Sequence, residues 1–349
     1  MISKAKFPLR NTLRKFYIHY SIRHCWGPDY INLKSNEAAV TCLFKNGEYY
    51  LDSVMRHHME MGFKHIFLLD NDSTDDSEKI AKKYSNVSYF KTSLPTNKYQ
   101  YKIVNDFAIR TIRNGWCLHI DLDELFDYPY SERMSLDRFI AYLNSHKYTA
   151  VVTQMLDMFA CESLSSLASN TRENIKAKYT SYDISAITRI AYAGSELKKK
   201  FSNESTISNN DIPLLYGGIR KKLYNLDCLL SKNSFFRVEG NKSVFSHVHL
   251  AQNVNLADIS CILLHYKFTS RSMQIAIQMS KTFGNLSGYQ NFIKLIEENP
   301  DLKISECSKT YTSAINLVEE DFLTVTKQFT DYVSAIDSSK SASPILKIN

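Results

Sequence analysis

The sequence predicts an α/β protein built on a mixed, mainly parallel sheet flanked by helices, with helical additions at the C-terminal end. Three observations carry this. From residue 38 onward, short apolar runs alternate with amphipathic stretches of helical period. Repeated strand–helix units return to a common sheet as parallel strands covered by helices on both faces. Two apolar runs end in acidic clusters, Asp70–Asp76 and Asp121–Asp127, and ligands of such sheets gather at the carboxyl ends of strands.

Taken in order, residues 1–34 form a basic amphipathic segment. Lys4, Lys6, Arg10, Arg14, Lys15 and Arg23 precede the first acid, Asp29, and Leu9, Leu13, Phe16 and Tyr20 recur on one helical face. Such a helix either docks on its own domain with the basic face solvated, or lies on an anionic membrane through residues 1–24. Ala38–Phe44 reads as a strand. Glu48–Met61 reads as a helix with Leu51, Val54, Met55, His58 and Met61 inward, stopped by Gly62. His65–Leu69 is a second strand ending at Asp70, and Asp75–Tyr84 a helix capped by Ser73 or Thr74. Val87–Phe90 and Trp116–Ile120 are strands around a helix at Ile103–Ile112. Ser135–His146 is a helix, and Thr149–Leu156 a strand closing at Asp157. Residues 161–211, rich in Ser, Asn and Lys, predict loops and helices over the site. Tyr216-Gly217-Gly218 marks a tight turn. Cys261–Phe268 is a late strand bearing His265 and Lys267, helical patterns fill 271–298 and 314–336, and 337–349 is a tail.

The 349 residues are 44% hydrophobic and 12% aromatic, enough for a full core, which excludes global disorder. The net charge of +7 is too mild to imply nucleic-acid binding and suits anionic, phosphorylated substrates or an anionic membrane surface. Seven cysteines without a Cys-x-x-Cys pair read as small buried hydrophobes in a reducing compartment. No apolar run approaches the roughly 20 residues of a transmembrane helix, and the N-terminus lacks a signal-peptide core. The expected location is cytoplasmic, with the inner face of the plasma membrane as the place of any membrane contact.

The chemistry is expected where Trp116–Ile120 runs into Asp121-Leu122-Asp123-Glu124. Unpaired carboxylates at a strand end need a cation. In extended geometry Asp121 and Asp123 point the same way, a workable hold on Mn²⁺ or Mg²⁺. The earlier cluster, Phe67-Leu68-Leu69-Asp70-Asn71-Asp72-Ser73-Thr74-Asp75, has two functional readings. It resembles the first motif of haloacid-dehalogenase-type phosphatases, with Asp70 as nucleophile, and it resembles the nucleotide-binding turn of family 2 glycosyltransferases. The complete strand–helix unit before it, and the lack of a downstream Lys motif, speak against the phosphatase. An Asp/Asn-rich turn and helix cap explains Ser73–Asp76 but not the second acidic strand end.

Across residues 37–127 the chain resembles a subgroup of family 2-like glycosyltransferases with the GT-A fold. Leu43-Phe44-Lys45-Asn46-Gly47-Glu48 looks like their Lys-Asn-Glu turn, Leu69–Asp75 like their Asp-Asn-x-Ser-x-Asp turn, and Trp116–Phe126 like their Asp-x-Asp-Glu signature. Leu156-Asp157-Met158-Phe159, Gly217-Gly218-x-Arg220 and Leu264-His265-Tyr266-Lys267 match more loosely. The resemblance implies transfer of a sugar from a nucleotide-sugar donor to a glycan or lipid-linked acceptor, in bacterial surface polysaccharide synthesis. Residues 35–270 would be the transferase domain, with a nucleotide-sugar half at 35–127 and an acceptor half at 128–270.

The site residues it implies are Asp121, Asp123 and His265 for the metal. Asn46, Glu48, Asp70, Asn71, Asp121, Arg220 and Lys267 would hold the nucleotide-sugar. Inverting transfer needs a carboxylate base, and the chain lacks the Glu-Asp pair of many members. Asp157 and Glu239 are the candidates, with Asp227 third. His247 and His249 share a strand face, but without nearby Cys or carboxylate they do not suit zinc; one of them contacts donor or acceptor. Two other functions stay open: a metal-dependent phosphatase using Asp70, and a non-catalytic membrane-surface binding protein.

Overall fold

The computed structural model describes residues 16–163, 166, 174–201, 204–240, 244–245, 247, 249–283, 288–306 and 308–341. Its centre is a ten-stranded sheet. In chain order the strands are β1 (Arg23–Trp26), β2 (Ile31–Asn32), β3 (Ala38–Phe44), β4 (Ile66–Asp70), β5 (Val87–Lys91), β6 (Ile112–Arg113), β7 (Trp116–Ile120) and β8 (Glu124–Asp127). They continue as β9 (Ala150–Asp157), β10 (Ser181–Tyr182), β11 (Ile187–Ala191), β12 (Thr206–Ile207), β13 (Pro213–Gly217), β14 (Ser231–Arg237), β15 (Asn255–His265) and β16 (Lys309–Thr310). Strands β5, β4, β3 and β7 lie parallel in that order. β14 then intervenes antiparallel between β7 and β9, and β15 continues parallel to β9. β8 doubles back along the end of β15. The sheet is mixed and mainly parallel, as the sequence predicts.

The central strands are apolar at nearly every position because both faces are covered. Val40, Cys42, Ile66, Leu68, Leu118 and Ile120 enter one core. Ala39, Phe67, Leu69 and Cys117 enter the other, with Phe90, Ile103 and Phe107. Phe292 and Phe329 of the C-terminal helices Tyr289–Glu298 and Lys327–Ser341 join the first core. Phe292 packs on Tyr224 and Phe268, and Phe329 on Phe139 and Tyr142, so these C-terminal helices cover the helices that flank the sheet.

Helix Leu51–Glu60 is anchored by its histidines. His58 Nδ1 donates to the Val54 carbonyl at 2.8 Å, which leaves Nε2 to accept from the Phe126 N–H at 3.3 Å. His57 Nε2 donates to the Phe126 carbonyl at 2.7 Å. The helix thereby fixes β8, the strand that carries Glu124. Burial pushes both imidazoles below their ordinary range, so they act as neutral hydrogen-bonding groups.

Several boundaries differ from expectation. The helix expected at Glu48 begins at Leu51, because Gly47 to Tyr50 form a turn in which the Gly47 carbonyl accepts from Tyr50 and Leu51. The helix expected at Ile103–Ile112 spans Thr96–Thr111; its first turn is polar and shows no apolar period. The Asp75–Tyr84 helix contracts to Ser77–Ala81, and neither Ser73 nor Thr74 caps it. Residues 16–21 are helical, but Phe16 and Tyr20 are exposed while Ile18 and Ile22 are buried. The apolar face of that turn is thus not the predicted one; Leu9, Leu13 and the basic residues before Phe16 lie outside the described residues. Among the described residues no helix is long and apolar enough to cross a membrane.

Candidate functional site

Strands β3, β4, β7, β9 and β15 all deliver their carboxyl ends to one edge of the sheet. After β3 the chain turns through Asn46, whose φ of 55° is left-handed, a conformation asparagine tolerates. This turn is tied to the one after β4. Asn46 N–H donates to Ser73 Oγ at 2.8 Å, Gly47 N–H to Ser77 Oγ at 2.8 Å, and Glu48 N–H to Asp75 at 2.9 Å. Asn46 Oδ1 accepts from the Thr74 N–H at 2.9 Å. Gly47 is favoured by crowding: a Cβ there would stand 2.7 Å from the end of the Leu122 side chain, inside the acidic turn after β7, and 2.9 Å from the Phe44 ring.

Asp70 and Asn71 face this framework. Asp70 is buried; one oxygen accepts from the Ser73 N–H at 2.8 Å and the other from the Tyr89 hydroxyl at 2.9 Å. Asn71 Nδ2 donates to the Thr92 and Leu94 carbonyls at 2.8 and 2.9 Å. Both side chains brace adjacent loops, so the structure gives them a task other than the expected nucleotide contact. With both oxygens engaged and no access, Asp70 is also unsuited to nucleophilic attack.

The acidic turn after β7 departs from the extended geometry expected of it. The Glu124 N–H bonds back to the Asp121 carbonyl at 3.1 Å, so residues 121–124 form a turn and the two aspartates face different partners. Asp121 meets Lys232 of β14, whose ammonium donates to Asp121 at 2.7 Å and to Glu124 at 2.5 Å. Glu124 is 0% exposed and Lys232 7%. Glu124 also accepts from the Asp121 N–H at 3.0 Å. Burial holds Glu124 above the usual carboxylate range despite Lys232. Burial acts on Asp121 the same way, but Lys232 outweighs it and holds Asp121 below that range. Burial would lower the Lys232 ammonium, yet the two carboxylates raise it, so it stays charged.

Asp123 faces His265 at the end of β15, with 3.4 Å between Asp123 Oδ2 and Nε2. His265 Nδ1 donates to Asp157 at 2.5 Å, and the other Asp157 oxygen accepts from Arg220 Nε at 2.9 Å. Burial works against a charged imidazole, but Asp123 and Asp157 overcome it and raise the His265 pKa to about 9. Arg220 Nη2 is buried without a hydrogen-bond partner in the protein. Lys267 approaches from the same strand end, its ammonium donating to the Tyr289 hydroxyl at 2.6 Å.

A hard divalent ion finds part of the expected donor set here. Asp123 and His265 face each other, and His265 is oriented by Asp157 as metal-binding histidines are by an outer carboxylate. Asp121 does not join them, because Lys232 holds it. Among the described residues no three His, Cys, Asp or Glu side chains converge to hold an ion. Of the three expected ligands, Asp123 and His265 face each other, while Lys232 holds Asp121 apart from them. Such a pair suits an ion that shares its shell with water and substrate phosphates.

The expected bases are also redistributed. Asp157 is buried with both oxygens bonded to cations, which makes it an orienting group. Glu239 lies at the opposite end of the sheet. β14 runs antiparallel, so Arg237 pairs with Trp116, where β7 begins, and Glu239 follows beyond it. Five residues of strand, about 16 Å, separate that end from Asp121. Two clefts of about 410 and 440 Å³ lie at that amino end, lined by residues including Asn114 and Gly240. Although larger, they are remote from every group described above. Asp227 precedes β14 on the acidic side, more than half exposed, with its carboxylate 3.4 Å from Lys221.

Beside Asp121 and Lys232 a cavity of about 140 Å³ opens, bounded by Gln100, His119, Phe245 and His249. His249 thus reaches the site edge, whereas His247 packs at a tilt against the Phe201 ring. Sequence reasoning missed Lys232 and His119, and it named Glu124 in the acidic turn without its buried partner. The one available signal was a lysine inside Leu229–Phe236, a stretch otherwise without charge.

No family model matches the chain, and no curated protein sequence matches it. Among solved structures it is similar to S. aureus TarS residues 1–349, at 11% identity and a TM-score of 0.33, over 75% of this chain and 72% of that one. A longer S. aureus TarS structure matches at 13% identity and 0.32, over 75% and 42%. Glucosyl-3-phosphoglycerate synthase from Mycobacterium tuberculosis, solved with Mn²⁺, uridine diphosphate and phosphoglyceric acid, matches at 15% identity and 0.24, over 34% and 43%. These likenesses are too distant to assign an activity.

Proposed function

We propose that this chain is a glycosyltransferase that moves a sugar from a nucleotide-sugar donor to a hydroxyl of a glycan or lipid-linked acceptor. The observation that carries the reading is the chain of contacts Asp123–His265–Asp157–Arg220 at the carboxyl ends of the parallel strands. It presents a carboxylate–imidazole pair beside a buried guanidinium with an unused N–H. A buried orphan donor costs about 1–3 kcal/mol, and an anionic ligand oxygen would recover that. Arg220, with Lys267 nearby, suits a diphosphate. Asp157 fixes both Arg220 and the His265 tautomer, and its own charge is compensated by them.

Asp123 and His265 would hold Mn²⁺ or Mg²⁺, which when bound neutralises charge on a departing diphosphate. Lys232 keeps Asp121 and Glu124 compensated, so the turn after β7 is preformed. For inverting transfer the acceptor proton is assigned to Asp227, since Asp157 is engaged and Glu239 is remote. The framework of Asn46, Glu48, Asp70 and Asn71 shapes the crevice floor. Phe16, Tyr17 and Tyr20, exposed on the N-terminal helical turn, fit peripheral contact with an anionic membrane.

The test is a screen of nucleotide-sugars for slow donor hydrolysis, with Mn²⁺, Mg²⁺ or chelator, on wild type, Asp123→Asn and Arg220→Gln. Metal-dependent release of a nucleoside diphosphate that both substitutions abolish supports the reading. Release of phosphate from a generic phosphomonoester, unchanged in both variants, would refute it.

A further inference from the structure

The two cations assigned to the diphosphate, Arg220 and Lys267, come from separate elements. Arg220 lies on the short helix Ile219–Tyr224, which follows the Gly217-Gly218 turn. Lys267 lies just past β15, where two backbone bonds fix the chain. The Tyr266 N–H donates to the Asp123 carbonyl at 2.7 Å, and the Lys267 N–H to the His265 carbonyl at 2.9 Å.

A third element, the helix Tyr289–Glu298, touches both segments. Phe292 is buried between Tyr224 and Phe268, with ring centres 5.2 and 5.6 Å away. Tyr224 ends the helix of Arg220, and Phe268 follows Lys267. Tyr289 precedes Phe292 by three residues and so shares its helix face. The Tyr289 hydroxyl accepts from the Lys267 ammonium at 2.6 Å, and that ammonium lies 4.3 Å from the Tyr289 ring centre. Gly288 opens the helix at a left-handed φ of 69°, a conformation that favours glycine. A Cβ there would stand 2.9 Å from the end of the Leu226 side chain, two residues past Tyr224. The start of the helix is thus pressed against the segment that carries Arg220.

A lysine side chain has a flexible four-carbon stem, and ordering it at an anion costs conformational entropy. The backbone of Lys267 is already fixed, so the freedom left to lose is that of the stem. The Tyr289 hydroxyl removes part of it before any ligand arrives. An ammonium has three donors; Tyr289 takes one and leaves two for a ligand. A hydroxyl also adds no negative charge. Lys232, in contrast, is matched by two carboxylates and has no charge to spare. Tyr289 therefore orders Lys267 without neutralising it.

We propose that Tyr289 is a positioning residue for the donor diphosphate: its hydroxyl pre-sets the Lys267 ammonium, and its helix fixes that ammonium relative to Arg220. The inference rests on the transferase reading and extends it to a helix beyond the residues that carry the family resemblance.

Calorimetry in Mn²⁺ with ADP, CDP, GDP and UDP first finds the nucleoside diphosphate that wild type prefers. That diphosphate is then titrated into Tyr289→Phe, Lys267→Ala and the double variant. Tyr289→Phe keeps the ring and its packing, and thermal melting checks that each protein folds. Lys267→Ala should weaken binding about ten-fold or more, as loss of a charged hydrogen bond does. Tyr289→Phe should weaken it about three- to ten-fold, the range for one side chain left unordered. In the Lys267→Ala background the same substitution should change binding by less than about two-fold, because its effect passes through the lysine. A loss that persists undiminished in that background would show that the hydroxyl acts through helix packing, and would overturn the inference. So would a folded Tyr289→Phe or Lys267→Ala that binds as wild type does or more tightly, or a Tyr289→Phe that does not fold. Each of these leaves the transferase reading intact, whereas failure of every diphosphate to bind wild type would overturn both.

Discussion

Replacing Lys232 by Met tests the electrostatic core of the site without touching a metal ligand or the crevice cations. The lysine is the only charge partner in contact with Glu124 among the described residues, and Glu124 is 0% exposed. Removing one member of a buried pair costs about 3–5 kcal/mol, because the other charge stays buried and unmatched. Asp121, whose side chain is 42% exposed, can turn to water and adds little. Glu124 cannot, and its remaining bond from the Asp121 N–H does not replace an ammonium. The variant can escape part of the penalty by protonating Glu124, which burial already holds above the usual carboxylate range. The sign follows from linkage. The folded-state pKa of Glu124 in the variant lies above its unfolded value, so the penalty is absent below the unfolded pKa and grows as pH rises toward the folded one. Urea denaturation of the metal-free protein should therefore show a larger loss near pH 8 than near pH 5. Adding Glu124→Gln should restore most of the loss at pH 8 and remove its pH dependence. A single variant within about 1 kcal/mol of wild type at pH 8, the size of a surface ion pair, or a double variant no more stable than the single, would refute the account.

Three further outcomes are expected. His65, pushed down to about 4 by burial, takes its proton in the unfolded chain first; its share of the stability lost between pH 6.5 and 4 should be at most about 3 kcal/mol, and His65→Gln should reduce the slope in chemical denaturation by that share, the other buried histidines keeping the rest. His265, raised to about 9, contributes stability that is fully present below the unfolded histidine pKa and fades as pH rises through about 9. Mn²⁺ must displace that proton, so calorimetry near pH 7.5 in buffers of different ionisation enthalpy should report close to one proton released, and Asp123→Asn should lose the signal. Glu239→Gln should leave transfer within about two-fold of wild type, since the residue lies about 16 Å from the acidic turn; a loss of a hundred-fold would place it back in the chemistry.

How far the sequence could be read depends on where each residue finds its partners. Strands β3, β4, β7 and β9 are legible because burial on both faces makes them continuous apolar runs. The acidic ends of β4 and β7 are legible because charge there has no packing explanation. β14 escapes the same logic. Its Ser231, Lys232, Asn233 and Ser234 are buried yet polar, and a run of that composition reads locally as a loop. Three of the four are matched from far away: Ser231 Oγ donates to Gln154 at 2.6 Å, Asn233 Oδ1 accepts from the Ala251 N–H at 2.9 Å, and Lys232 reaches Asp121. Without β14, two other errors were unavoidable. Asp121 and Asp123 seemed free to share one ion, and Glu239 seemed to lie near them when the antiparallel strand carries it away. A lysine held inside a sheet, however, is itself an argument. A buried ammonium persists only where carboxylates meet it, so Lys232, once placed inside the sheet, requires an acidic partner. The joining of β14 to β7 brings it to the acidic cluster at the end of that strand, where Asp121 and Glu124 accept from it.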